Sequence, residues 1–249
     1  MIDRALYVAM TGASATLKAQ ASVSHNLANA NTVGFQATLS GTVAAPVQGE
    51  GFDSRVAASH RTLGVSAASG AINQTGNATD IALHQDRWLA VQAPDGGVAY
   101  TRAGNLQLTA NGLLTTASGL PVLDQGGAPV AVPPNESMLI GGDGTISVVP
   151  LGQPPSTLAE AGRLQVVEAR TDQLVRGDDG LMRMPAGADP APPAAGNVLT
   201  AGALESSNVD ATSMLVSMIQ LSRQFEMQVR VLQSGDESAR ASNSLLSSR

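Results

Sequence analysis

The chain has 249 residues, 14 basic and 20 acidic side chains for a net charge of −6, and only 2% aromatics. An acidic chain with one lysine, Lys18, lacks the clustered Lys and Arg that bind a phosphate backbone, so nucleic acid is excluded as a partner. The absence of cysteine excludes disulfides, thiolate metal sites and cysteine nucleophiles, and the core must be built from Val, Leu, Ile, Ala and Met.

Met1–Leu6 lacks the charged and apolar regions of a cleaved signal, which leaves a cytosolic protein or export by another route. No run of 18 apolar residues occurs, so no transmembrane helix and no membrane insertion are expected. Residues 3–31 are predicted to be helical. Leu6, Met10, Ala13, Leu17, Gln20, Ser24 and Leu27 fall at steps of four and three, a heptad seam with polar interruptions. Small residues are dense and charge is thin, as in a helix with partners on several sides. The pattern stops at Ser24–Phe35, where Asn26, Asn29, Asn31 and Gly34 favour a helix end followed by a turn. Gly34 is the position where a left-handed turn would require glycine. Phe35 is expected to anchor the departing chain against the helical layer. Asn26, Asn29 and Asn31 are expected to act as cap and inter-subunit hydrogen-bonding groups.

Residues 36–79 show no sustained period and read as an extended linker with short strands at best. From 80 to 205 the pattern turns to short apolar runs between Gly-rich turns. Residues 88–93 and 98–101 flank Pro94–Gly97, and 106–109 and 113–116 flank Ala110–Gly112. Residues 120–123 and 130–132 flank Asp124–Gly127, and 138–140 and 145–149 flank Gly141–Gly144. Residues 164–169 and 174–175 flank Thr171-Asp172. This spacing predicts a central all-β domain, sandwich- or barrel-like, with Asp189–Pro193 as a surface loop.

Residues 206–249 return to helix, with Ser206, Ser207 and Asn208 as N-cap candidates and Ser207/Asp210 as an approximate capping box. Leu215, Met218, Ser222, Phe225, Val229, Leu232, Asp236, Ala239, Asn243 and Leu246 form a second heptad seam. The fold class is therefore α+β. A discontinuous coiled-coil domain from both termini (1–35 and 206–249) joins through a 36–79 linker to a β domain at 80–205. With polar residues in both seams, the helix pair is expected to fold fully only on assembly.

No catalytic, cofactor or metal site is predicted. His25, His60 and His84 are scattered singly, without metal-ligand spacing. Ser24-His25 cannot pair as nucleophile and base when adjacent on a helix. Asp178-Asp179 are adjacent rather than facing, and Gly141–Gly144 lacks the Lys and Ser/Thr of a phosphate loop.

Three motifs in order resemble the flagellar basal-body rod and hook protein family. They are Asn26–Asn31 with Thr32-x-Gly34-Phe35, then Tyr100–Asn105 followed by Gly112–Thr115, then Gly202–Asp210 with Met218-Ile219 and Arg223–Glu226. Thr75–Leu83 followed by Asp86–Gln92 resembles the proximal rather than the distal rod branch, although residue 87 is Arg where the family often has Gly. The resemblance implies a structural, non-enzymatic subunit of the periplasmic rod of the basal body, without cofactors. It implies export by the flagellar type III apparatus, rod neighbours above and below, copies of itself as partners, and torque transmission. The interface residues so implied are Leu6, Met10, Leu17, Asn26, Leu27, Asn29, Asn31, Gly34, Phe35, Leu215, Met218, Phe225, Val229, Leu232 and Leu246. The alternatives are a distal rod protein of the same family, or a cell-wall-binding β-sandwich with coiled-coil ends. In the sandwich, Trp88 and Tyr100 are the aromatics available as a platform, and both are expected to point inward. A hydrolase lacks a nucleophile to support it.

Overall fold

A computed structural model describes residues 2–46, 56–154 and 157–247. Two helices flank a β-rich region, so the chain is α+β. The chain divides into two compact units, one of residues 1–28, 38–63 and 210–249, the other of 29–37 and 64–209.

In the first unit, α1 (Ile2–Ala28) packs against α2 (Ala211–Ser247). Helix α1 ends three residues before the predicted stop. After it the Thr32 N–H and hydroxyl both fold back onto Asn29, to its carbonyl and its side-chain oxygen, each at 3.1 Å. This local competition for backbone bonds is what Asn and Thr supply. Helix α2 starts at Ala211 and is capped by Asp210, not by Ser206, Ser207 or Asn208. Asp210 Oδ1 accepts the Thr212 N–H at 3.0 Å, and Oδ2 accepts the Ser213 hydroxyl. The Ser213 hydroxyl, then the Thr212 amide, hold the Asp210 carboxyl below the usual carboxylate range. Asp prevails because it sits one residue before the helical backbone, where an acceptor reaches the second amide.

The stretch read as a linker holds two strands of nine and ten residues, Thr38–Pro46 and Val56–Val65, which pair with each other. Phe52, Gly49 and Gly51 lie outside the described residues. Strands this long with little alternation give weak sequence signals, because the first packs on α1 and the second pairs with the first. Asn26 fastens the first strand to that helix: its amide nitrogen donates to the Thr38 carbonyl and its oxygen accepts the Thr38 N–H, both at 2.9 Å.

The second unit is built on a five-stranded antiparallel sheet. Its order is Val166–Glu168, Arg87–Gln92, Val98–Thr101, Met182–Arg183, Val175–Arg176. Both faces of the Arg87–Gln92 strand are buried. Leu89 and Val91 join a cluster with Ile81, Leu83, Leu114, Ile146 and Leu164. Trp88 and Ala90 join another with Tyr100, Leu123, Val167, Leu174 and Met182. A three-stranded sheet (Ala159–Arg163, Thr145–Pro150, Asn135–Ile140) and short pairs complete the unit. Four predicted hairpins form strand pairs or bridges across their turns. The hairpin expected around Thr171-Asp172 does not form. Val166–Glu168 pairs with Arg87–Leu89, and Val175–Arg176 pairs with Met182–Arg183, so long-range partners outcompete the local turn. Asp189–Pro193 is also more than a surface loop: Ala191 is buried, and the Pro192 carbonyl accepts the Glu168 N–H at 2.8 Å, covering a sheet edge.

Candidate assembly surface

The two heptad seams are only partly the seam between the helices. Among the described side chains of α1 the buried ones are Ala13, Ala15, Thr16 and Asn26, none of them large apolar residues. Thr16 lies 3.1 Å from the Gln228 side chain, and a Cβ on Gly12 would sit 3.1 Å from the same amide. The helices thus approach through small residues. Three large residues of α1 point away. Tyr7, Met10 and Leu17 are 54%, 61% and 49% exposed, within a stripe Tyr7, Met10, Ser14, Leu17, Ala21, Ser24 at steps of three and four. On α2, Met218, Ser222, Phe225, Val229 and Leu232 are half-buried, as a seam should be. Leu215, placed in the same seam, is 50% exposed instead. It lies with Val216, Ile219, Met227 and Val231 on a solvent-facing side. The side chains of Leu6 and Leu246 lie outside the described residues.

The Ser24–Phe35 stretch ends the helix and turns, with Gly34 left-handed as expected. Asn26 is buried with both amide groups engaged by Thr38, so it is an internal clamp rather than an inter-subunit group. Leu27 is half-buried, Asn29 serves the local turn, and Asn31 is exposed. Phe35 lies under the Arg176 guanidinium, 4.8 Å from the ring centroid. Arg176 Nη2 also donates to the Gln36 carbonyl at 2.7 Å. Burial lowers the Arg176 pKa from its ordinary value, but a guanidinium stays protonated.

Gly34 has φ +67°, and a Cβ there would lie 2.2 Å from the Arg102 carbonyl oxygen. Its N–H donates to the Glu205 carbonyl at 2.8 Å. Glu205 and Arg102 form a buried ion pair, Nη2 to Oε2 at 2.6 Å, with side chains 1% and 3% exposed. Three sequence motifs far apart in the chain therefore meet at one point. Sequence reading used Arg102 and Glu205 only as letters of motifs. The signal available was that a chain with 14% charged residues places two of them at short apolar strands, Arg102 just after Val98–Thr101 and Glu205 at the end of Ala203–Glu205.

Arg87 pairs with Glu168 directly across the sheet, Nη1 to Oε2 at 3.0 Å. Trp88 and Tyr100 are 2% and 4% exposed. The Trp88 indole N–H donates to the Ala169 carbonyl at 2.9 Å, so neither ring is a surface platform. Among the described residues no group of three or more His, Asp or Glu side chains could hold a metal ion, and no helix is long and apolar enough to cross a membrane.

Comparison with known proteins agrees with the motifs. Residues 6–36 match the flagella basal body rod protein family, 82–148 the flagellar hook protein FlgE/F/G D1 domain, and 200–245 the flagellar basal body rod FlgEFG protein C-terminal family. The chain is 42% identical over 254 residues to the flagellar basal-body rod protein FlgF of Salmonella typhimurium (strain LT2), covering 99% of each chain. It is equally similar, 42% over 254 residues and 99% of each, to FlgF of Escherichia coli (strain K12). The flagellar basal-body rod protein FlgG of Bacillus subtilis (strain 168) is 30% identical over 237 residues, 86% of this chain and 88% of that one.

Proposed function

The chain belongs to the flagellar basal-body rod protein family, most like FlgF, and from that premise we infer that its helix pair is the element through which it polymerises. It is a structural subunit of the basal-body rod, not an enzyme. The observation that carries the inference is the outward side of the helices. Tyr7, Met10, Leu17, Val216, Ile219, Met227 and Val231 are each about half exposed or more. Helix sides this apolar mark a surface that other helices cover. Coiled-coil-like packing between copies and with rod proteins above and below would bury them, and the thin small-residue seam within one chain favours ends that tighten on assembly. The two-faced sheet with its clusters reads as a sandwich-like domain. Repeating one interface around and along an axis is what transmits torque. Residues 1–35 and 206–249 make up the proposed rod-core domain, and the Asn26 clamp adds the strand from Thr38 to it.

Leu17→Glu and Ile219→Glu test this reading in a strain lacking the wild-type protein. Both sites are exposed, so the purified subunits should melt as wild type does, within about 0.5 kcal/mol. Basal bodies should lack the subunit and cells should fail to swim. Normal rods carrying either variant would remove the basis of the inference. The cell-wall-module alternative is disfavoured by the buried Trp88 and Tyr100.

A further inference from the structure

The buried pair Arg102–Glu205 has a geometry that stability alone does not explain. Arg102 donates from all three guanidinium nitrogens. Nε and Nη2 hold Glu205 Oε2 at 2.7 and 2.6 Å, Nη1 donates to the carbonyls of His84 and Arg87 at 3.1 and 2.8 Å, and Nη2 donates to the Leu83 carbonyl at 2.9 Å. Arg102 also lies over the Trp88 ring, 5.6 Å from its centroid. Glu205 is equally committed. Its Oε1 accepts the Gly70 N–H at 2.9 Å, its carbonyl accepts the Gly34 N–H, and its strand pairs with Ile72–Gln74. Neither Gly34 nor Gly70 admits a side chain: a Cβ on Gly70 would overlap the Ser206 carbonyl. Asn208 adds a lateral tie. It donates to the Ala68 carbonyl at 2.7 Å, accepts the Ala37 N–H at 2.7 Å, and its own N–H reaches the Phe35 carbonyl at 3.2 Å.

A buried ion pair adds little net stability over an apolar replacement of the same volume. What it supplies is a unique register, because only one alignment satisfies every donor and acceptor. Here the aligned segments are the chain leaving α1, the chain about to enter α2, and the sheet strand between them. We propose that Arg102 and Glu205 are positioning residues for assembly, fixing the register in which the two helix-bearing segments leave the β-rich unit. The pair touches no partner itself. It acts through the segments it holds, which lead along the chain into the helices proposed to meet the next copy. This rests on the reading that the helix pair polymerises.

The test separates positioning from stability. Glu205→Gln keeps shape and removes the charge. Val122→Ala, in the core away from the pair, serves as a control that only destabilises. Both are expressed as full chains in a strain lacking the wild-type protein. Folded fraction is read from Trp88 fluorescence of the purified subunit, and incorporation from the subunit content of isolated basal bodies at a temperature where both variants are folded. Glu205→Gln should incorporate at least tenfold less than Val122→Ala. Equal incorporation of the two would overturn the proposal. If Glu205→Gln does not fold, Arg102→Lys replaces it, keeping charge but losing the planar fork, and the same comparison decides. Leu17→Glu runs alongside. If it assembles normally, the helix reading has failed, whereas the positioning claim fails only when the pair variant matches the core control.

Discussion

Replacing Gly34 with alanine probes the point where the three motifs meet. The new Cβ meets two obstacles. The backbone is left-handed, at φ +67°, which costs an L-residue about 1–2 kcal/mol. The Cβ would also fall 2.2 Å from the Arg102 oxygen, 2.3 Å from its carbonyl carbon and 2.7 Å from the Ala103 nitrogen, all backbone atoms that cannot swing aside. Relieving such overlap by moving chain segments adds about 1–3 kcal/mol. The total of about 2–5 kcal/mol lowers the melting temperature by roughly 10 °C in a domain of this size. The single tryptophan makes the measurement specific, since Trp88 is buried in the β-rich unit and neither helix contains a tryptophan. Gly96→Ala is the matched control: φ is +80°, but nothing lies within 4 Å of the added Cβ. It carries only the backbone cost, so its melting point should fall by roughly 2–8 °C. If Gly34→Ala melts no lower than Gly96→Ala by Trp88 fluorescence, the close approach of Gly34 to Arg102 is refuted.

Asn26→Asp should loosen the strand from Thr38 even though it is nearly isosteric, because an ionised carboxylate cannot donate to the Thr38 carbonyl. The loss of about 1–3 kcal/mol should appear as faster amide exchange along 38–46, and unchanged exchange there would contradict the clamp. Asp179 is held below the usual carboxylate range chiefly by its hydrogen bonds from Arg183, Nη2 to Oδ2 at 2.6 Å. Its contribution is therefore complete above the unfolded carboxyl value near 3.9 and fades as pH falls below it. Asp179→Asn should flatten the loss of Trp88-monitored melting temperature between about pH 5 and pH 3, and parallel curves for the two proteins would count against it. Asp210→Ala should speed exchange of the Thr212 amide, while Asp210→Asn, which keeps the capping oxygen, should preserve most of its protection.

The sequence by itself determined what depends on neighbours along the chain. Helical ends came from 3.6-residue periodicity, four β-turns from Gly-rich segments between apolar runs, and the need for glycine at 34 from the turn around it. The motifs at 26–35, 100–105 and 202–210 were enough to place the chain in its family. The pairing of Val166–Glu168 with Arg87–Leu89 was not legible, because strand partners are chosen by burial on both faces of a sheet rather than by the nearest turn. The long strands at 38–46 and 56–65 were hidden for a related reason: they pair with each other and the first packs on α1, so their stability does not lie in their own pattern. Heptad spacing found the apolar positions on the helices but not what they face, since a period fixes which residues share a side and leaves the partner open. Tertiary structure decided that small residues make the contact within the chain while Met10 and Leu17 stay outside. It also turned Asn26 inward and joined Arg102 to Glu205. Such pairings depend on distance in space, and residues 103 positions apart carry no local trace of being 2.7 Å from each other.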